Sequence, residues 1–383
     1  MKEVFETVFL LAAGQGVLLT LVLLIRKENH TANRILAIAT LCLSIDLVIA
    51  VYYSKGWYML YPHFMGISYT FPLLYGPLFY LYAAFVSKKM DRFRYVDWLH
   101  FAPVAVVLII CFPVYLYSAA DKIIFVNNIM HHIMPIQFAV FAAIIPVQGL
   151  VYTFFTIRIE REYDKKIRDQ YSTIDLINLH WLKHITIAMI IIWSIVAILF
   201  VLQLLTSGHT GIYVLLQLSI SILIYSIGYK AMQQPEIFLN PSAASSLSAS
   251  SGKYERSGLS DEFAEEIKNK LQTVMTAEKP YLENDLTLQK LADRIKISSH
   301  NLSEVINSKM NLTYYDFINS HRVEEFKSRL HDPENEKYNL LSIAFDSGFK
   351  SKGTFNSIFK KFTGLTPSEY KMNMHLSPKT EKF

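Results

Sequence analysis

Few residues of this 383-residue chain are of types that could do chemistry. Asp46 is the one acid in the apolar run 35–53. A carboxylate at the centre of a bilayer costs at least about 2.5–3.5 kcal/mol, so such a residue is protonated, paired or facing an interior. It is either a proton or ligand site or a hydrogen bond to a neighbouring helix. His131-His132 have Asp121 as the only carboxylate of their loop and no nearby thiol, which favours interfacial histidines over a metal or pH site. The two cysteines, Cys42 and Cys111, sit inside apolar runs and read as buried structural thiols, excluding a disulfide framework or thiolate zinc site. No nucleophile–base pair, phosphate loop or metal cluster appears, so neither catalysis nor a cofactor is expected. What remains is a short basic stretch, Lys350 to Lys361, with no acid inside it.

The elements that must carry these residues fall into two kinds. A bilayer core of about 30 Å needs about 20 apolar helical residues. Seven stretches meet this, about 4–25, 35–54, 64–86, 95–117, 133–157, 184–206 and 211–231. The first is not expected to be a cleaved signal, because Glu3 and Glu6 lead it and Arg26-Lys27 follow as a stop. Gln137, Gln148, Gln203 and Gln217 read as polar glue between helices. In "FPLLYGPLFYLY", Pro72 and Pro77 each remove a backbone donor, which predicts a kinked third span able to shape a pocket or hinge. Asp46, Pro72 and Pro77 are therefore the candidate sensor residues of the membrane part.

Loop charge sets the orientation. Loops 1–2, 3–4 and 5–6 hold thirteen Lys/Arg, among them Lys88, Lys89, Arg158 and Lys165, against Lys2, Lys55 and Lys122 on the other side. The N-terminus is expected outside and the C-terminus in the cytoplasm, as a multi-pass protein of a bacterial inner membrane. The expected organisation is a seven-span domain over 1–232, a flexible Ser/Ala/Gly-rich linker over 233–260 and a soluble helical domain over 261–383. A coil of that kind transmits a push or twist poorly, so control through dimerisation or local concentration fits it better.

From Asp261 on, Lys/Arg and Asp/Glu balance at 18 each, so the net charge of +5 belongs to the membrane part and is no pointer to nucleic acid. The pattern there is all-helical. "DLTLQKLADRIKIS" and "SSHNLSEVINSKM" give two amphipathic helices about a short turn, with Leu288, Leu291, Ala292, Ile295, Leu302, Val305 and Ile306 facing inward. A long helix follows, with Phe317, Ile318, Val323 and Phe326 apolar. The unit then recurs with a core of Ile343, Ala344, Phe349, Phe355, Phe359 and Phe362. Gly348 suits its turn, Gly364 its end, and Pro367 stops the helix continuing. The helix-turn-helix pairs are read at about 286–309 and 339–363, joined by a helix at about 313–331.

The spelling "IAFDSGFKSKGTFNSIFKKFTGLTPSEY" closely resembles the second-motif signature of AraC/XylS-type transcription regulators. "LADRIKISSHNLSEVIN" and "INSHRVEEFKSRL" resemble the first motif and connecting helix of that family. The resemblance covers about residues 265–372. It implies two recognition helices entering successive major grooves about one turn apart. Carried over position by position, the base-facing residues are His300, Ser303 and Glu304 in the first motif. In the second they are Lys352, Gly353, Thr354 and Ser357, with Asn356 beside them. Lys350, Ser351, Lys360 and Lys361 fall where phosphates are held, contacts that fix register without reading sequence.

Two positions depart from the family pattern. Asn311 replaces a common turn glycine but tolerates the left-handed conformation. Glu304 stands where relatives often carry a basic residue; it repels phosphate, yet can accept from a cytosine amino group. The expected whole is an all-α, membrane-anchored one-component transcription regulator. Its implied partners are double-stranded DNA and the lipid bilayer, with RNA polymerase, a signal ligand and a second copy of the chain as further candidates. A transporter or membrane enzyme with an appended regulator, or a docking module without DNA binding, are the alternatives.

Overall fold

The computed structural model describes residues 2–27, 29–130, 136–175, 177–205, 210–233 and 259–376. Among them every element is helical, and the one strand-like feature is an isolated antiparallel bridge between Tyr171 and Thr287. The chain divides into two compact units, Met1–Tyr163 with Leu179–Ala249, and Asp164–Asn178 with Ser250–Phe383. The expected linker, apart from its ends, and His131-His132 lie outside the described residues, as do the side chains of Gln137 and Gln203.

The first unit is built on α1 (Lys2–Ile25), α2 (His30–Ser54), α3 (Pro72–Val86), α4 (Ala102–Tyr115), α5 (Ala119–Met130), α6 (Ile136–Gln170), α7 (His180–Leu205) and α8 (Thr210–Gln233). Among the described residues six helical stretches are long and apolar enough to cross a membrane: Lys2–Ile25, His30–Ser54, Tyr95–Tyr115, Val140–Gln170, His180–Leu202 and Tyr213–Lys230. The third expected span, about 64–86, corresponds to α3, which is apolar but only 15 residues long. Pro72 accounts for the shortening. It occupies the first turn of α3, where its missing N–H costs nothing, so it starts the helix and does not kink it. Pro77 alone lies inside.

Packing inside this unit uses small and hydroxyl residues, the kind that lets apolar helices approach closely. Thr20 of α1 and Thr40 of α2 share a hydrogen bond of 3.0 Å. Gly149 of α6 lies so close to Trp193 of α7 that a Cβ there would stand 2.2 Å from the indole. Gln148 donates to the carbonyl of Leu73 at 3.3 Å, which joins α6 to α3 as the glutamine reading expects. Large apolar side chains point outward, among them Leu18, Ile109, Val147, Ile187 and Ile222, each more than half exposed.

In the second unit α9 (Asp261–Ala277) is capped by Ser260, whose hydroxyl accepts from the N–H of Phe263 at 3.2 Å. Then come α10 (Leu288–Arg294), α11 (Ser299–Lys309), α12 (Tyr314–His331), α13 (Leu340–Asp346), α14 (Lys352–Thr363) and α15 (Pro367–Leu376). One core joins Ile267, Leu271, Leu291, Leu302, Val305, Ile306 and Ile318. A second, aromatic patch stacks Phe326, Phe349, Phe355 and Phe359, with ring centroids 4.7–5.8 Å apart. Phe362, expected in that core, is 36% exposed beneath the Lys361 ammonium, and Ile358 fills the buried position. The helical period puts 355, 358, 359 and 362 on one face, but Phe362 stands in the last turn, next to the Gly364 that ends the helix.

Candidate nucleic-acid interface

Each helix-turn-helix starts from a capping side chain and turns through a left-handed residue. In the first, Thr287 caps α10 and Ser298 caps α11, each hydroxyl accepting a backbone N–H at 3.2 and 3.1 Å. The turn between them runs through Lys296 at φ 57°. In the second, Asn339 caps α13 and Ser351 caps α14, at 2.8 and 3.1 Å. Its turn runs through Gly348 at φ 93°, where a Cβ would lie 2.3 Å from the Tyr281 carbonyl. Only glycine fits there. Asn311 adopts the left-handed conformation at φ 54°, as the sequence led one to expect, and Gly364 ends α14 in the same region.

On α14 the buried face is Phe355, Ile358 and Phe359, and the opposite stripe is exposed: Lys352, Gly353, Asn356, Ser357 and Lys360. These lie three and four residues apart and form one continuous surface. A Cβ on Gly353 would meet nothing within 4 Å, so that part of the stripe is open. Lys350, also exposed, precedes the helix. Lys361 is turned back to Asp316 at 2.7 Å, and the Ser351 hydroxyl is engaged in capping. Thr354 is half-buried, and its hydroxyl donates to the Asp175 carboxylate.

The corresponding face of α11 differs. His300 is exposed, with its Nε2 3.9 Å from the Glu304 carboxylate. Ser303 is turned inward, only 8% exposed, and accepts from Asn307 Nδ2 at 3.2 Å. It follows the core residue Leu302 and precedes Val305, so the rotation of the helix carries it under the surface.

Sequence reading missed the polar centre of this unit, Arg322 of α12. It is 1% exposed and has no carboxylate partner among the described residues. All its donor groups are used. Nε donates to the Tyr281 carbonyl at 2.7 Å. Nη1 donates to the Ser172 carbonyl at 3.1 Å, Asn319 Oδ1 at 3.2 Å and Thr173 Oγ1 at 3.4 Å. Nη2 reaches the Glu283 carbonyl at 2.7 Å and Ser172 Oγ at 3.2 Å. Burial pushes this guanidinium down to about 10, still charged at neutral pH. A signal was there to be read: residues 318, 322 and 326 share one face of α12, so an arginine between Ile318 and Phe326 must be buried.

Of the sensor residues, Asp46 accepts a hydrogen bond from the Tyr75 hydroxyl of α3, Pro72 opens that helix and Pro77 lies within it. A separate cavity of about 100 Å³ in the same unit is lined by Tyr53, Met65, Tyr69, Cys111 and Tyr115, with Lys122 at its wall. Lys122 is 5% exposed, and its ammonium lies 3.4 Å from His63 Nδ1. The described residues hold no cluster of three or more His, Cys, Asp or Glu able to bind a metal.

Comparison with known proteins places a name on the second unit. Residues 291–373 match the family model described as a helix-turn-helix domain. The chain is 28% identical over 86 residues to the melibiose operon regulatory protein of Escherichia coli (strain K12), covering 22% of this chain and 28% of that protein. It is 29% identical over 91 residues to an uncharacterized HTH-type transcriptional regulator of Staphylococcus aureus (strain COL), covering 24% of this chain and 12% of that one. The chain thus matches less than a third of the length of either relative, and no solved structure matches it. The C-terminal part of the chain is an AraC/XylS-type helix-turn-helix domain.

Proposed function

We propose that the chain is a membrane-anchored one-component transcription regulator, which senses a signal in its membrane part and binds promoter DNA through α11 and α14. The observation that carries this reading is the union, in one chain, of an AraC/XylS-type domain with an open basic stripe and six helices of membrane-crossing length and composition. Outward-facing Leu18, Ile109, Val147, Ile187 and Ile222 suit lipid better than water. With α3 counted as a seventh crossing, thirteen Lys/Arg in one set of loops against three in the other support a cytoplasmic C-terminus in a bacterial inner membrane. Base reading falls to His300, Glu304, Lys352, Gly353, Thr354, Asn356 and Ser357. Phosphate contact falls to Lys350 and Lys360, which make no ion pair among the described residues.

For the signal site the cavity beside Lys122 is favoured over Asp46, because the Asp46 carboxylate already has the Tyr75 hydroxyl. A buried ammonium whose one recognised polar neighbour among the described residues is a histidine, above aromatic walls, suits a small apolar molecule bearing a negative group. The test of the main reading is cross-linking of the full-length chain to genomic DNA in cells, followed by membrane fractionation and sequencing. Recovery of recurrent promoter sites from the membrane fraction is expected. Absence of any enriched site, or recovery of the chain in the soluble fraction, overturns it.

A further inference from the structure

The second unit contains a segment that is remote in sequence from the rest of it. Asp164–Asn178, the last turns of α6 and the stretch from them towards α7, is part of the same compact body as the helix-turn-helix domain. The segment is held by hydrogen bonds in both directions. Ser172 is fully buried; its N–H and its hydroxyl both donate to the Leu286 carbonyl, at 3.3 and 2.7 Å. The Thr173 hydroxyl donates to the Asn284 carbonyl at 2.7 Å, and Asn319 Nδ2 donates to the Ser172 carbonyl at 3.0 Å. Arg322 adds its bonds to the carbonyl and hydroxyl of Ser172. Ile174 is buried beside them, and the Arg168 guanidinium lies 4.9 Å from the centre of the Tyr315 ring. This is a fitted surface, with Arg322 as its socket.

Just beyond the socket the segment delivers Asp175 to Thr354, in the first turn of α14. The N-terminus of a helix attracts anions, and a recognition helix meets DNA with its N-terminal residues. Asp175 therefore places a negative group where an acceptor of the duplex would sit. One of its oxygens, Oδ2, is buried with no hydrogen-bond partner among the described residues, so the carboxylate is held less completely than Ser172 beside it. An anion with more acceptors can displace it.

We propose that the surface formed by Arg322, Asn319, the 281–286 backbone and Thr354 binds the α6–α7 segment in competition with DNA. Asp175 is a surrogate for the acceptors of the duplex, and docking of the segment is an autoinhibited state. The segment is covalently continuous with α6 and α7, which gives a signal in the membrane part a route to the recognition helix of a few residues. That route does not pass through the long Ser/Ala/Gly-rich stretch 240–260. The proposal rests on the regulator reading and names how that reading is controlled.

The test uses the full-length chain in lipid nanodiscs. The probe is the duplex most enriched by the wild type or any variant from a random pool. Asp175→Ala is expected to bind it about tenfold tighter than wild type, the gain for releasing a site about nine-tenths closed. Asp164→Asn removes the same charge from the same segment without touching α14, and its amide oxygen can still accept from Arg168 Nε as the carboxylate does at 3.1 Å, so affinity should be unchanged. Hydrogen exchange supplies a second reading: adding the probe to the wild-type chain should deprotect the Ser172 amide. Equal or weaker binding by Asp175→Ala, an equal gain from Asp164→Asn, or unchanged Ser172 protection overturns the competition while leaving DNA binding intact. If no duplex is enriched by any variant, the regulator reading falls and the competition falls with it.

Discussion

The first helix-turn-helix turns through Lys296 at φ 57°, and the second through Gly348 at φ 93° against the Tyr281 carbonyl. The recognition helix of the first presents His300 and Glu304 and hides Ser303; that of the second presents Lys352, Gly353, Asn356, Ser357 and Lys360. Asp175 reaches the second only. One device, used twice, is thus finished for two tasks. The open, basic copy suits anchoring as well as base reading, and the acidic one suits discrimination between bases alone. In the competition proposed above, control lies at the copy that anchors, where a single carboxylate can weaken binding to every sequence.

The largest test of this contrast compares the turns. Gly348→Ala adds a Cβ 2.3 Å from a backbone carbonyl in a conformation alanine resists. A loss of about 3 kcal/mol or more is expected, seen as proteolysis of the C-terminal domain in the full chain. Lys296→Gly, in the matching turn, should change stability by no more than about 1 kcal/mol. Equal effects would mean that the two turns are equally constrained. The next test concerns reading. Lys352→Ala combined with Thr354→Ala should remove about 1–3 kcal/mol of discrimination between matched and mismatched duplexes, measured by competition binding.

Smaller, and of opposite sign in the two copies, are the effects of single charges on affinity. Lys360→Ala should weaken binding to all duplexes alike and lower the slope of log affinity against log salt by about 0.9. Glu304→Gln should tighten binding to all duplexes by removing a charge that repels phosphate, while shifting preference at one base pair. Salt titrations of both variants decide the matter. If Glu304→Gln weakens binding to every sequence, the division between an anchoring and a discriminating copy is wrong.

Much of the helical domain could be read from local patterns. Leu288, Leu291 and Ala292, then Leu302, Val305 and Ile306, recur at the helical period and are all buried. The left-handed positions Asn311, Gly348 and Gly364 were readable because few residues tolerate that backbone. Edges were less legible. Ser303 sits one step from a buried face, where a small rotation decides on which side it falls, and Phe362 lies on the buried face but in the last turn of its helix. Pro72 could not be told from a kink without knowing that the helix begins there. The Asp175–Thr354 contact spans 179 residues of sequence, and "STID" looks like any polar turn. Its only local trace was Arg322, a cation on an apolar face that requires acceptors from elsewhere.

The smallest expected effect is a pH dependence that separates the two halves of the core. His321 lies between Tyr281 and Phe317, with ring centroids 5.5 and 4.9 Å away, and burial holds it below its ordinary value of 6.5. An unfolded chain takes up a proton on this residue near that value, while the folded chain resists it. Stability is therefore complete above about 6.5 and declines as pH falls through it, until the folded residue also protonates. A second decline belongs to carboxylates such as Asp285, which its hydrogen bond from Lys290 holds below the ordinary 3.8; that loss begins only in the more acid range. His321→Phe should remove the first decline and leave the second. Thermal melting of the helical domain in the full chain between pH 7.5 and 5 measures it, and an identical slope in the variant would exclude His321 as its source. Because His321 packs on Tyr281, whose carbonyl binds Arg322, the first decline should also loosen Ser172 before it loosens the Phe326–Phe359 patch.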